Sequence, residues 1–330
     1  MITARWLGLN VSDYVSAIPD VVVAAERSLA DKIASVTLVN RNGFFDETGN
    51  YSILNGIRWR GTRFEATSGF DKVVSGIVSD GVSQNGSIAL SVQSDFSSAF
   101  RGVCDLIQYQ VDPATAILAL LRAGGLPDSM IDVASFERCA AVYQYNGVLI
   151  NAVASEQYQT PLLDAVNALA ELGSMYLWLD TKIHVMLAPD LPVSTTYLQT
   201  IQSKDILGQI EYGAITDRET AYSVGYLGDS SGKWPATGGT QSDSGKVWSQ
   251  AYNATSQWQL VNEQAAHGAG KIRIAQMQRR RTAKISVRDN GTIPVIMGGM
   301  YKIMPWSAVG YLVGYIKRAG LISLSFEEVV

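Results

Sequence analysis

Apolar residues in the first hundred positions come in short runs, and the longer runs alternate with polar ones. Val21–Arg27, Ile33–Val39, Ile53–Trp59, Val73–Val78 and Ser87–Gln93 are rich in β-branched and aromatic residues. Asn42-Gly43, Thr48-Gly49-Asn50, Asp80-Gly81 and Asn85-Gly86 separate them with turn chemistry. The clearest hairpin joins Val73–Val78 to Ser87–Gln93 through Gln84-Asn85-Gly86. In its second strand Ile88, Leu90 and Val92 point to one face and Ser87, Ala89, Ser91 and Gln93 to the other. Such alternation predicts a half-buried antiparallel sheet, hence a sandwich or barrel.

The period changes after residue 105. Asp112 followed by Pro113 is an N-cap and a proline at the first helical position, Ala114–Ala123 is strongly helical, and Gly124-Gly125 stops it. The device repeats: Thr160 caps, Pro161 starts, Leu162, Val166, Leu169 and Ala170 share a face, and Gly173 ends the helix. A hairpin of Met175–Leu179 and Lys182–Leu187 follows. From residue 199 the β pattern returns. Residues 228–245 read as a long exposed loop, Ser256–Arg280 as a helix weakened by Gly268 and Gly270, and Thr282–Arg288, Ile293–Met297, Tyr311–Ile316 and Leu321–Phe326 as closing strands. The expected division is 1–105 (β), 106–198 (α+β) and 199–330 (β), with no repeat of 20–50 residues.

Composition narrows the classes. The chain has 330 residues, 47% of them apolar and 17% charged, and a formal charge of −4 from 26 basic and 30 acidic residues. That excludes a disordered chain and a polycation that coats nucleic acid. Fifteen Tyr and 7 Trp on a weakly charged chain point to surface covered by other proteins. Cys104 and Cys139 make no disulfide framework or metal spacing and read as buried thiols of a reducing compartment. Neither a secretory signal nor a stretch long enough to cross a membrane is expected, so synthesis in the cytosol follows.

Catalytic chemistry finds little foothold. His184 and His267 lie outside any metal-binding spacing, and no G-x-S-x-G elbow occurs. Gly239 to Lys246 is one residue too long for a phosphate loop and Gly228 to Lys233 one too short, while Gly268-Ala269-Gly270-Lys271 falls inside a helix. Glu137, Glu156, Glu171 and Glu263 could supply a glycosidase pair, yet each reads as a solvated residue. No cofactor or metal is expected. One segment stands out: Lys271, Arg273, Arg279, Arg280, Arg281, Lys284 and Arg288 fall together without an acid. They read as a solvated face, as a contact with acidic residues of a neighbour, or as a phosphate-facing surface. Trp234 and Trp248 near the long loop are candidate partner anchors.

Taken together these segments resemble the baseplate hub proteins of tailed bacteriophages and related injection machines. Four places carry the likeness. The first is Trp6-Leu7-Gly8 through Ile33–Asn40 to Arg41-Asn42-Gly43-Phe44, and the second the hairpin from Gly76 to Asp95 leading into Phe96–Cys104. The third is Asp112–Gly125 with Pro161–Gly173 and the hairpin to Pro189. The last is the terminal stretch of a helix, a basic strand, Gly298–Ile303, Tyr311–Ile316 and Leu321–Val330. The likeness lies in segment order and patterning over nearly the whole chain.

What the resemblance implies is a mainly β chain with an α+β insertion and two small antiparallel tail-tube-like β-barrels. Three chains would close a ring that adapts a sixfold tail tube to a threefold tip and leaves a channel for DNA. The implied partners are two further copies, the tail tube or distal tail ring protein, the tail spike or tip protein, and the tape measure protein. The implied place is the tail baseplate of a virion. A distal tail or tube-initiator ring, with one barrel per chain, is the alternative within that class. A tail-carried cell-wall glycan hydrolase and a carbohydrate-binding β protein, with Trp234, Trp248 and Trp258 as platforms, are the alternatives outside it.

Overall fold

The computed structural model describes residues 2–328 apart from 49–51, 55, 70, 105–106, 153–159, 188–197, 215–218, 230–233, 241–244, 255, 278–280 and 319. The chain is mainly β and divides into two compact units. The smaller holds Met1–Val21 and Ala30–Phe100, and the larger holds Val22–Leu29 and Arg101–Val330. The α+β section and the second large sheet fall in the same unit.

The smaller unit is one seven-stranded sheet in the order Leu9–Asn10, Ile2–Trp6, Arg63–Ser68, Asp71–Gln84, Ser87–Ser94, Ile33–Val39, Val15–Ala17, all antiparallel. Asn85 and Gly86, at φ 52° and 77°, make the expected two-residue turn. Val36, Leu38, Val78, Ile88, Leu90 and Val92 fill the core with Trp6, Phe45 and Phe64. Fully burying a side chain such as Phe64 contributes about 2–3 kcal/mol.

The larger unit carries the second sheet, in the order Gln199–Ile201, Met300–Ile303, Ala308–Arg318, Leu321–Glu328, Arg281–Arg288, Glu211–Ala214. It is antiparallel except where Gln199–Ile201 runs parallel to Met300–Ile303. Val21–Ala24 pairs with Ala308–Arg318 beside this path. Around it lie the helices Pro113–Ala123, Val133–Tyr145, Leu162–Gly173 and Glu263–Met277, the hairpin Tyr176–Leu179 with Ile183–Met186, and two three-stranded sheets.

The two large sheets share one register. Counting outward from the hairpin turn, Gln84–Ser87, Ser83–Ile88, Val82–Ala89, Gly81–Leu90 and Asp80–Ser91 are paired in the first. Arg318–Leu321, Lys317–Ile322, Ile316–Ser323, Tyr315–Leu324 and Gly314–Ser325 are paired in the second. Each long strand then bulges by one residue, Ser79 or Val313, and pairing resumes at Val78–Val92 or Leu312–Phe326. On one side Val39 faces Ser87 as Arg288 faces Leu321, and Ile33 faces Gln93 as Thr282 faces Glu327. On the other, Phe64 faces Gly76 as Tyr301 faces Gly310. Both aromatics are fully buried, each opposite a glycine. Smaller features match too: Gly61 N donates to Val78 O at 2.8 Å as Gly298 N donates to Leu312 O at 2.8 Å. Five residues of the hairpins are identical at the corresponding places: Gly76, Gly86, Ile88, Leu90 and Ser91, against Gly310, Gly320, Ile322, Leu324 and Ser325.

Several expected elements differ. Ile53–Trp59 and Ile293–Met297 are not strands; the strands at those places begin later, at Arg63 and Met300. Turn bonds hold the first run: Ile53 N to Phe44 O, Gly56 N to Glu47 O and Trp59 N to Glu47 Oε1. In the second, Pro294 has no N–H to offer a ladder, and its carbonyl accepts from Tyr301 Oη at 2.6 Å. Thr160 and Pro161 pair with Cys104 and Val103 instead of opening the helix, which starts at Leu162 and ends with Ser174 at φ 57°. Val133–Tyr145 is a further helix, with Phe136, Cys139, Ala140 and Tyr143 on its buried face and no side chain capping its first turn. Ser256–Arg280 resolves into the strand Trp258–Leu260 and the helix Glu263–Met277. Within 228–245 the strand Ala236–Gly239 pairs with Glu219–Gly225, so that span is not wholly a loop.

Candidate functional site

The basic segment does not form one patch. Arg273 points inward from the helix Glu263–Met277 and is 5% exposed. Its Nε and Nη2 fork onto the Glu219 carboxylate, its Nη1 meets Glu171 Oε1 at 3.0 Å, and its guanidinium lies 5.4 Å above the Trp248 ring. Burial, with Glu171 nearby, pushes the Tyr252 phenol well above its ordinary value. Two glycines let the helix approach so closely. A Cβ on Gly268 would sit 2.3 Å from Asn146 O, and one on Gly270 would sit 2.4 Å from the Tyr222 ring. Arg273 and Trp248, the latter 3% exposed, therefore leave the candidate contact surface. They tie a helix to a strand because an arginine fork flanked by two carboxylates can be buried.

The other candidates lie apart. Arg281 Nε donates to both Glu328 oxygens, at 2.9 and 3.0 Å, and its guanidinium stacks 5.5 Å from the Trp306 ring. Lys284 Nζ is 3.7 Å from Glu211 Oε2. Lys271 and Arg288 are exposed, and Trp234 is 77% exposed, its amide donating to Asp229 Oδ1 at 3.1 Å. Arg279 and Arg280 lie outside the described residues. The acids that neutralise Arg281 and Lys284, Glu328 and Glu211, are distant in sequence and arrive through strand pairing.

A groove of about 1090 Å³ lies along the helix Glu263–Met277, lined among others by Tyr145, Tyr222, Gly238, Gly239, His267 and Lys271. Tyr222 Oη and His267 Nδ1 are 2.8 Å apart, and His267 Nε2 is 3.7 Å from Glu263. Glu263 is the only carboxylate among the described lining residues, whereas glycoside hydrolysis requires a pair. Glu171 is committed to Arg273, and Glu156 lies outside the described residues.

His184 is engaged on both sides, its Nδ1 2.9 Å from Asp132 Oδ2 and its Nε2 3.0 Å from Asp180 Oδ1. Its ring is stacked on Trp178 at 4.8 Å and 2°. Burial lowers its pKa, but the hydrogen bonds and charges of Asp180 and Asp132 prevail and the net shift is upward. The arrangement fastens the start of Val133–Tyr145 to the hairpin, a role that sequence spacing hid because Asp132 is 52 positions away. Among the described residues no group of three His, Cys, Asp or Glu is placed to hold a metal ion. Burial pushes the Cys139 thiol up to about 12, which makes it a packing residue. Among the described residues no helix is long and apolar enough to cross a membrane.

No protein-family model and no curated protein matches the sequence. Solved structures do. The tail protein from Neisseria meningitidis MC58 superimposes with a TM-score of 0.60 at 11% identity, covering 99% of this chain and 96% of that one. The 43 kDa tail protein of prophage MuSo2 from Shewanella oneidensis gives 0.61 at 13% identity, covering 98% and 97%. The prophage tail protein gp18 from Listeria monocytogenes EGD-e gives 0.55 at 10%, covering 99% and 94%. Along nearly its whole length, this chain has the fold of tail proteins.

Proposed function

We propose that the chain is a structural virion protein, the hub of a tail baseplate, and not an enzyme. In this reading three copies close a ring, with 1–105 and 199–330 as its two tube-like domains and 106–198 as the insertion between them. The observation that carries it is the pair of sheets with one register in a single chain whose fold matches tail proteins end to end. One chain with two equivalent sheets can offer six similar elements from three copies, which is what joining a sixfold tube to a threefold tip requires. The tube or distal tail ring would meet one side, the tip or spike the other, with the tape measure protein as a further partner. On two adjacent strands of the first sheet the outward residues Ser35, Thr37, Ser87, Ala89 and Ser91 are uncharged, which favours a channel role for that part of the face, while on the strand Arg63–Ser68 of the same sheet Arg63 pairs with Glu65. The protein would be made in the host cytoplasm and reside in the virion tail. Trp234, Lys271 and Arg288 remain the candidate partner contacts, Trp234 lying within 228–245.

Native mass measurement and electron imaging of the purified assembly test the reading. A closed ring of three is expected. A six-chain ring would favour the distal tail or initiator alternative, and a stable monomer at high concentration would overturn both. Release of sugar from peptidoglycan, abolished by one Glu or Asp substitution, would replace the structural role with an enzymatic one.

A further inference from the structure

The duplicated hairpins differ in what lies against their bulges. In the larger unit Met300–Ile303 stops pairing at Tyr311, and Val21–Ala24 takes over the edge of Ala308–Arg318 that it leaves. The carbonyl of the bulged residue Val313 accepts from Ala25 N at 2.7 Å. A Cβ built on Gly314 would lie 3.3 Å from Val23 O and 3.5 Å from Ala24 Cα, so the added strand runs in close contact.

The first hairpin has the same edge without the strand. Arg63–Ser68 stops pairing at Ile77, and Gly61 and Thr62 bond Val78. From Ser79 to Gln84 no backbone partner lies on that side among the described residues. Ser79 is the counterpart of Val313, and its carbonyl accepts from Arg60 Nε at 2.8 Å. Arg60 is 76% exposed and reaches Asp80 at 3.7 Å through solvent, so it is a side-chain cap that can swing away. Val82 beyond it is 53% exposed, and Ser83 and Gln84 are exposed as well. Ladder alternation turns every second backbone group of this edge outward.

We propose that Ser79–Gln84 is a strand-docking edge, which takes an extended β-branched segment of a different protein as Val313–Arg318 takes Val21–Ala24. The chemistry of the occupant follows from the filled counterpart, whose strand is Val-Val-Val-Ala with a free amide for the bulge carbonyl. The Val21–Ala24 segment of a second copy is not the donor, because that segment is already engaged within its own chain. The inference stands on the shared register and not on the tail reading.

Hydrogen exchange on the full chain, with a synthetic peptide of the sequence Asp20–Arg27 as the probe, tests it. At about 1 mM peptide, exchange of amides within 79–84 is expected to slow roughly tenfold. Arg60→Ala, which bares the Ser79 carbonyl, should deepen the protection, and Val82→Lys should abolish it. Both residues are exposed, so both variants should fold as the parent does. Unchanged exchange would overturn the proposal and leave Arg60 as an edge guard. Protection confined to 313–318, or protection of the chain alone that dilution removes, would overturn it equally, the last by assigning the edge to a second copy.

Discussion

Arg273 shows how a single charged residue can serve packing in this fold. Its guanidinium is matched by Glu219 and Glu171 and covered by Trp248, and removing it would leave two carboxylates without their cation. Arg273→Met should lower stability by about 3 kcal/mol in urea denaturation. Arg273→Lys should recover only part of that, since an ammonium cannot fork onto Glu219. His184 acts through pH. Its folded pKa is raised, so its contribution is fully present below the unfolded value near 6.5 and is lost as pH rises through the folded value. At the acid end Asp180 behaves oppositely. Burial pushes it up, yet the His184 hydrogen bond and charge hold it below the ordinary carboxylate range, so its contribution is lost as pH falls. Proton NMR titration should place the His184 midpoint above 6.5, and Asp180→Asn should lower it; a midpoint at or below 6.5 in the parent would contradict this. Residue types alone suggested none of these roles. Arg273 sat in a run that reads as surface, and only packing shows which member turns inward.

Among the elements, the paired hairpins hold most of the β architecture. Their shared bulge, turn and facing aromatic define what substitutions each tolerates. A Cβ on Gly76 would lie 1.7 Å from Gln93 O, which is backbone and cannot yield, whereas one on Gly310 meets Phe326 Cβ and Trp306 at 3.0 Å. Gly76→Ala should therefore cost about 3 kcal/mol and Gly310→Ala about 1 kcal/mol in thermal or urea unfolding. Equal losses would refute the argument from close approach. The hairpin strands, the Asn85-Gly86 turn and the Asp112 cap, whose carboxylate accepts from Thr115 N at 2.9 Å, were legible in the sequence because alternation and capping are local. The two failed strands fail alike. Ile53–Trp59 and Ile293–Met297 occupy corresponding places, each running into a turn, Trp59–Thr62 or Ile296–Gly299, closed at 3.1 or 3.0 Å. Trp59, Ile293, Val295 and Met297 pack on the cores without joining a ladder. An apolar run announces burial, and whether it pairs depends on what lies beside it.

For the molecule as a whole, three of the five described members of the basic cluster are paired within the chain, Arg273 with Glu219 and Glu171, Arg281 with Glu328 and Lys284 with Glu211. Assembly should then depend little on salt. Its mass is expected to stay the same between about 50 mM and 1 M NaCl, where screening shortens to about 3 Å. Dissociation at high salt would point to charge pairs between chains. The sequence by itself determined the order of β, α+β and β sections, the positions of the principal turns and caps, and the weak overall charge. These follow from spacing, turn chemistry and composition, each complete within a short window or a simple count. Tertiary structure decided that Ile33–Val39 lies beside Ser87–Ser94 and that Arg281–Arg288 repeats that register beside Leu321–Glu328. It also placed Val21–Ala24 in the larger unit's sheet and buried Arg273 and Trp248. Those outcomes rest on contacts between residues tens to hundreds of positions apart, and a local period carries no record of the neighbour across the ladder.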